Sequence, residues 1–162
     1  MNRTSTNNDI VKYIYNELEE RETLKLNFKG LTEMPTAKIY GLKRILNPAK
    51  SQLSDAIHSC VSEALNFPSE KRLQRFFSLA EQDFYYGEGR SENYIIIEIA
   101  LFEGRSKDTI KKLITLLYER VPPVVGMDKR DLDIMVFELP RHCWGLQGEP
   151  GDEQQLGYEV SI

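Results

Sequence analysis

The chain contains a Met-Pro pair, Met34 and Pro35, and a proline has the chemistry for proton transfer when it is the first residue of its chain. When a proline is the first residue of a chain, its ring nitrogen is a secondary amine without amide resonance. The ring fixes the direction of the lone pair, and an apolar pocket lowers the pKa of the amine because it disfavours the charged ammonium. Such a proline can act as a general base near neutral pH. An internal proline at the start of a strand, by contrast, is ordinarily structural.

A base of this kind needs a partner that holds an anionic substrate, and an arginine has the required chemistry. Its guanidinium can bind a carboxylate through two hydrogen bonds and stabilise the negative charge that develops on an enolate oxygen. One arginine with this chemistry is Arg105, in the segment Glu-Gly-Arg-Ser at residues 103–106. The same four residues recur at 88–91, so only the position of Arg105 between a predicted strand and a predicted helix distinguishes it.

The cysteines and histidines indicate no further site. Cys60 and Cys143 do not form a Cys-x-x-Cys pair, and with His58 and His142 they cannot make a zinc ligand set of standard spacing. Cys60 fits a core thiol, and we expect both histidines at the surface. We therefore predict neither a metal nor a cofactor.

The composition is typical of a soluble globular domain. The chain has 162 residues and a net charge of −4, with no basic run that would track a phosphate backbone. Its longest apolar runs are far shorter than the roughly 20 residues of a membrane span, and its first residues show no apolar segment of a secretory signal. We expect a cytoplasmic protein without a nucleic-acid or membrane partner.

The elements that would position Pro35 begin at residues 36–41, which predict a short strand. Asn47 is a good N-cap and Pro48 suits the first helical position, so we expect a helix to start there. Residues 73–80 predict a second strand. The elements around Arg105 follow the same order: residues 93–102 predict a strand, Ser106 an N-cap with a helix behind it, and residues 132–139 a further strand.

The two segments look like copies of one unit. The apolar stripe of the first helix, which includes Leu53, Ile57 and Cys60, recurs 57 residues later as Ile110, Ile114 and Leu117. A strand, a crossover helix and a parallel strand form a right-handed βαβ unit in nearly all proteins. We therefore predict an α+β fold in which two tandem βαβ units form one mixed sheet with two helices on one face. The domain would span residues 34–162, after an extension at 1–33, and residues 156–162 would contact a neighbouring subunit.

From Met34 onward the chain resembles the tautomerase superfamily, whose small enzymes are built from βαβ units and use an amino-terminal proline. Residues 34–40 resemble the start of these enzymes, and residues 97–112 are similar to 4-oxalocrotonate tautomerase. The two-unit length resembles the cis-3-chloroacrylic acid dehalogenases and the malonate semialdehyde decarboxylases, which are trimers. The resemblance implies that Pro35 is the base, that Arg105 is the pocket arginine and that Trp144 lines the pocket. On general grounds a buried core indole is the alternative for Trp144.

The chain also departs from these relatives at five positions. They are Lys71 and Glu103, where the decarboxylases carry an aspartate and an arginine, and Ser62, Phe102 and Met135, where the dehalogenases carry a histidine, an arginine and a tyrosine. The resemblance therefore implies proton transfer without hydration, decarboxylation or dehalogenation. Arg72 lies near the second predicted strand and is a candidate for substrate binding, with a solvated strand edge as the alternative.

Residues 1–33 conflict with this chemistry. If translation starts at Met1, the nitrogen of Pro35 belongs to an amide and has no usable basicity. Met34 could instead be the true start, since the codons for Lys29 and Gly30 can read as a ribosome-binding sequence. The extension could also be removed by proteolysis, or the protein could be a relative that has lost the activity.

The sequence thus predicts a tautomerase-like isomerase that acts on a small enol or keto acid. Pro35 would move the proton, Arg105 would hold the carboxylate, and Trp144 and Arg72 would bind the substrate. The alternative is a non-catalytic oligomeric or ligand-binding relative in which Pro35 is internal and inactive. We expect a homotrimer, because the sheet leaves a face and edges to cover and the resemblance implies three-fold assembly.

Overall fold

Strand, helix and strand follow one another twice along the part of the chain that the computed structural model describes, residues 35–146 and 148–153. The first unit consists of β1 (Thr36–Leu42), α1 (Lys43–Leu65) and β2 (Leu73–Leu79). The second consists of β3 (Ile95–Phe102), α2 (Lys107–Arg120) and β4 (Leu132–Leu139), with a short helix α3 (Pro122–Val125) after α2. A hairpin of β5 (Gly145–Leu146) and β6 (Glu149–Pro150) follows. The predicted extension and the predicted C-terminal contact segment lie outside the described residues.

The four long strands form one mixed sheet in the order β2-β1-β3-β4. Strands β1 and β2 are parallel, β3 and β4 are parallel, and β1 pairs with β3 in the antiparallel sense. Each parallel pair is connected through a helix, as a parallel pair requires. The predicted α+β fold of two tandem βαβ units is confirmed.

The register decides which loops lie together. Thr36 pairs with Leu73 of β2 on one side and with Ala100 of β3 on the other. Phe102, the last residue of β3, pairs with Leu139, the last residue of β4. The first residues of β1 and β2 therefore lie at the same end of the sheet as the last residues of β3 and β4. We call this end the site end.

Both long helices pack on one face of the sheet. Ile95, Ile97 and Ile99 of β3 alternate toward that face and have no exposed surface, which is the period of two expected of a strand. Against them lie the buried residues of the helices: Leu46, Leu53, Ile57, Cys60, Val61, Leu65, Leu113 and Leu117. The core thiol of Cys60 is confirmed, and burial raises its pKa to about 11. Among the described residues, no helix is both long and apolar enough to span a bilayer.

The predicted start of the first helix is wrong. Strand β1 runs directly into α1 at Lys43, so Asn47 and Pro48 lie inside the helix rather than at its beginning. Leu46 is fully buried, and this burial holds the first turn against the sheet. The Asn47 Oδ1 atom accepts a hydrogen bond from Ser78 Oγ at 2.9 Å instead of capping the helix. Tertiary packing outweighs the local preference of the Asn-Pro pair.

The surface placement of His58 is also wrong. Its exposed fraction is 8%, and its Nε2 atom lies 2.6 Å from the carbonyl oxygen of Ser69. The turn that follows α1 reverses at Asn66, which has a left-handed backbone with φ of 49°. The chain then passes back beside the helix and covers this imidazole. His142, in contrast, is exposed, as predicted.

The face of the sheet without helices carries apolar side chains in contact with solvent. Phe77, Met135, Phe137 and Leu139 are each between 38% and 44% exposed. Tyr40 stacks on Phe77 with ring centroids 4.7 Å apart. Only a few charged groups, such as the pair of Lys38 and Glu98, interrupt this surface. We call it the open face.

Candidate active site

All four predicted site residues lie at the site end of the sheet. Pro35 precedes β1, and Arg105 lies in the loop between β3 and α2. Trp144 follows a 3-10 turn, Arg141–Cys143, after the end of β4. Arg72 precedes Leu73, the first residue of β2. The antiparallel pairing of β1 with β3 is what brings the start of one unit to the end of a strand in the other.

The side chain of Arg105 forms a hydrogen bond with the last residue of β3, the strand that precedes it. Gly104 before it has φ of 120°, in the region that favours glycine, which lets the chain turn sharply after β3. The Arg105 Nη1 atom donates a hydrogen bond to the carbonyl oxygen of Phe102 at 2.7 Å. Ser106 then caps α2 as predicted, because its Oγ accepts from the backbone N–H of Thr109 at 3.1 Å. The guanidinium is therefore held by a tight loop at a helix start.

The charge of Arg105 is not compensated by any residue that the structure describes. Its exposed fraction is 8%, yet it forms no ion pair with residues 35–146 or 148–153. Other arginines of this region are paired with carboxylates: Arg44, Arg72, Arg90, Arg120 and Arg130. The Arg105 Nε atom is buried and also lacks a hydrogen-bond partner among these described residues. Because buried charges are usually paired, this site favours an anion.

Trp144 packs against the residue that holds Arg105. Its ring lies 5.1 Å from the ring of Phe102, at an interplanar angle of 83°. Arg141 and Gly151 fix this position, because Arg141 donates to the carbonyl of Gly151 and the Gly151 N–H donates to the carbonyl of Trp144 at 2.8 Å. The indole Nε1 atom is buried and has no hydrogen-bond partner in the part of the chain that the structure describes. Trp144 itself is half-buried.

Pro35 is buried at the first position before β1. It lies one residue beyond the pair of Thr36 and Ala100, which places it beside the end of β3, where Leu101 and Phe102 are both buried. These apolar neighbours are the kind of surroundings that lower the pKa of an amine. In the chain as it stands, the nitrogen of Pro35 is bonded to Met34.

Arg72 is already engaged by the first helix. Its Nη1 atom donates to Asp55 Oδ1 at 2.7 Å and to Ser54 Oγ at 3.0 Å, both on α1. Its side chain is 40% exposed. A role for Arg72 in substrate binding stays a prediction, and it would require this surface ion pair to open.

The second Glu-Gly-Arg-Ser segment is part of a structural network at the other end of the sheet. Arg90 Nη2 donates to Asp133 Oδ1 at 2.7 Å. Ser91 donates to both carboxylate oxygens of the buried Asp131, at 2.7 Å and 2.6 Å. Asp133 also accepts from Tyr94, and desolvation together with this hydrogen bond raises the pKa of Tyr94 to about 12. Arg90 thus has a carboxylate partner, whereas Arg105 has none among the described residues.

Three of the positions at which the sequence departs from the dehalogenases and the decarboxylases do not lie together in the structure. Ser62 is on α1, on the helical side of the sheet, whereas Met135 is on the open face. Glu103 is exposed. Phe102 is the important residue that sequence reasoning missed, since its carbonyl and its ring hold Arg105 and Trp144. Its position at the end of a strand, three residues before Arg105, is the signal that could have indicated this role.

A family model described as "Tautomerase enzyme" matches residues 71–147. The match includes Arg72, Arg105 and Trp144 but not Pro35. Among solved structures, an asymmetric trimer of a fused 4-oxalocrotonate tautomerase, F6 fused 4-OT, has a TM-score of 0.66 at 20% identity, with 73% of this chain and 97% of that chain covered. The FG41 malonate semialdehyde decarboxylase inhibited by 3-bromopropiolate has a TM-score of 0.62 at 22% identity, with 68% and 88% covered.

N1, a member of the cis-3-chloroacrylic acid dehalogenase family, has a TM-score of 0.64 at 15% identity, with 74% of this chain and 85% of that chain covered. At these identities the structural likenesses establish a common fold. Together with the match of the family model, they confirm the resemblance to the tautomerase superfamily that was found in the sequence.

We expect Gly151→Ala to displace Trp144. A Cβ atom at residue 151 would lie 2.7 Å from the carbonyl oxygen of Arg141 and 3.1 Å from the Trp144 Cβ atom, so the backbone has to shift. The cost should be about 1–3 kcal/mol of unfolding free energy, as for other overpacked sites. Trp144 is the single tryptophan of the chain, so its fluorescence reports the displacement directly.

Gly145→Ala is the matched control for this measurement. Nothing lies within 4 Å of a Cβ atom at Gly145, although it is adjacent to Trp144. Its emission spectrum should match that of the unsubstituted protein. An unchanged spectrum in Gly151→Ala would contradict the proposed support of the indole by Gly151.

Proposed function

We propose that this protein is a tautomerase-like isomerase that moves a proton between carbon and oxygen, or between two carbons, of a small enol or keto acid. The observation that carries the proposal is that Arg105, a residue more than nine-tenths buried, has no carboxylate partner among residues 35–146 and 148–153. A carboxylate of the substrate would supply the missing negative charge. The match to the family model described as "Tautomerase enzyme" supports the reaction class.

In the proposed mechanism, Pro35 acts as a general base through a free secondary amine. The amine accepts a proton from the enol oxygen or from an acidic carbon, and the electron pair left behind forms an enolate. Arg105 holds the carboxylate and stabilises the enolate charge, and the protonated amine then delivers the proton to the other position. The substrate is isomerised, and Pro35 returns to its initial state. Trp144 and Arg72 complete the proposed substrate-binding residues.

The mechanism requires that Pro35 be the first residue of the mature chain. We therefore propose that residues 1–33 are an extension, either untranslated or removed, and that the tautomerase domain spans residues 34–162. Removal of Met34 would then release the amine. Acylation of this nitrogen would delocalise its lone pair into the peptide bond, and no rearrangement of side chains could restore the base.

A chain that begins at Pro35 should be active, and the chain that begins at Met1 should be inactive. Mass spectrometry of the native protein's N-terminus and the ketonisation of phenylenolpyruvate by both forms test this. Pro35→Ala in the shorter chain is the control, because it keeps a primary amine but loses most of the activity. If the native chain begins at Met1 and the shorter chain is also inactive, the protein is the non-catalytic relative described next.

The second candidate function is a ligand-binding relative without turnover. The observation in its favour is the peptide bond between Met34 and Pro35 in the chain as given. In that case Arg105 would still bind a carboxylate, so binding without reaction distinguishes this candidate from the enzyme.

Arg105→Ala should reduce turnover of phenylenolpyruvate about a hundredfold or more, because it removes a few kcal/mol of stabilisation from the charged transition state. Arg105→Lys should restore only part of the rate, since a lysine lacks the planar fork of donors. Arg130→Ala is the control: its side chain is 81% exposed, and it precedes β4 at the end opposite the site. Equal activity of Arg105→Ala and Arg130→Ala would remove Arg105 from the mechanism.

We also propose that the protein is a homotrimer assembled through the open face. An exposed apolar surface of this kind is typical of an interaction site, and fused 4-OT structures of the same fold are trimers. Light scattering should give three times the mass of the chain used, which is 18.8 kDa when all 162 residues are present. Phe137→Asp on the open face should produce monomers, whereas Thr115→Asp on the exposed side of α2 should not. A monomer before substitution, at micromolar concentration, would contradict the proposal.

A further inference from the structure

Two buried hydrogen-bond donors without partners lie beside one residue at the site end. One is the Arg105 Nε atom and the other is the Trp144 Nε1 atom. Phe102 connects them, because its carbonyl accepts from Arg105 Nη1 at 2.7 Å and its ring lies 5.1 Å from the ring of Trp144. Neither donor has a partner in residues 35–146 or 148–153.

Such a pair of donors is not expected from packing alone. Native proteins satisfy most buried polar groups, because a buried donor that loses its water without replacement is costly. Ser62 Oγ and Gln74 Oε1 are also unpartnered, but they belong to neutral side chains on α1 and β2. At the site end, one of the two donors carries a positive charge that is more than nine-tenths buried. The missing acceptor there is therefore an anion.

We propose that the indole N–H of Trp144 donates a hydrogen bond to the same substrate carboxylate that Arg105 binds. Trp144 is then a recognition donor as well as an apolar wall. A carboxylate offers about four lone-pair sites on its two oxygens, so it can accept from Nε of Arg105 and from the indole together. This inference rests on the proposed function, since it assumes a carboxylate at Arg105.

The chemistry of the two donors sets the ligand class. Nη1 of Arg105 is already used by the Phe102 carbonyl, so the guanidinium binds the ligand through its other N–H groups. An indole N–H is a donor only, and it cannot receive a hydrogen bond from an amide N–H₂. The site should therefore prefer a carboxylate to the amide of the same shape, and Trp144 should contribute to that preference.

The single tryptophan of the chain makes the proposal directly measurable. Its indole N–H gives one resonance in a ¹H–¹⁵N spectrum of protein labelled at tryptophan. We expect a saturable downfield shift when cinnamate is added to the protein with its native N-terminus, and no such shift with cinnamamide. Arg105→Ala should abolish the shift, and Arg130→Ala should leave it unchanged.

The affinities of Trp144 variants for cinnamate and cinnamamide distinguish a hydrogen bond from the indole N–H from a contact with the indole ring. Trp144→Phe keeps an aromatic wall but removes the donor, and it should weaken cinnamate binding at least tenfold in calorimetry while cinnamamide binding changes less than twofold. Replacement of Trp144 by 3-benzothienylalanine, which substitutes sulfur for the N–H, should give the same loss in a ring of nearly the same shape. Equal losses for both ligands would show that Trp144 is only a wall, which overturns the inference.

The outcomes also distinguish this inference from the proposed function. If cinnamate shifts the backbone resonances of residues 103–106 but not the indole resonance, the carboxylate binds at Arg105 without Trp144, and only the inference fails. If neither set of resonances moves, the carboxylate site itself is absent. The proposed role of Arg105 then fails together with the inference.

Discussion

Strands β1 and β3 pair in the antiparallel sense from Thr36 and Ala100 to Gly41 and Ile95, and both the core and the site follow from this contact. Each βαβ unit alone has a two-stranded sheet and one helix, which is too little to bury the apolar faces of either. The pairing joins the units into one four-stranded sheet with both helices on the same side, so Ile97 and Ile99 become fully buried. Because the pairing is antiparallel, it also brings the start of β1 beside the end of β3.

The two Glu-Gly-Arg-Ser segments show how strongly the surroundings decide what an arginine can do. Arg90 is paired with Asp133 and joins the loop before β3 to the start of β4. Arg105 has the same neighbours in sequence, but its side chain is bound to the carbonyl of Phe102 and has no carboxylate among the described residues. The first arginine is electrostatically satisfied by the protein. The second has no carboxylate partner among residues 35–146 and 148–153, and we propose a small acid as its ligand.

The basicity of the Pro35 nitrogen depends on a covalent bond rather than on packing, because it is lost while the nitrogen is bonded to Met34. The fold places it at the same end of the sheet as Arg105 and Trp144, beside the apolar end of β3. These surroundings would favour a neutral amine, but they have no effect on an amide nitrogen. The open face exposes aromatic and aliphatic residues, and the homotrimer that we propose would cover them with another subunit.

The sequence alone determined the elements and their order. Apolar residues at periods of 2 and 3.6 predicted the strands and helices because one face of each element must be buried, and the repeat of this pattern predicted two βαβ units. The cap at Ser106, the placement of Arg105 between a strand and a helix and that of Trp144 after the last strand were also predicted, whereas the pocket roles of Arg105 and Trp144 came from the family resemblance. The tertiary structure alone decided that α1 begins at Lys43, that His58 is buried, and that Phe102 holds both Arg105 and Trp144. These features depend on contacts between residues far apart in the chain, such as the hydrogen bond between Asn47 and Ser78. A local sequence pattern does not indicate which distant group will form a hydrogen bond with a given polar atom.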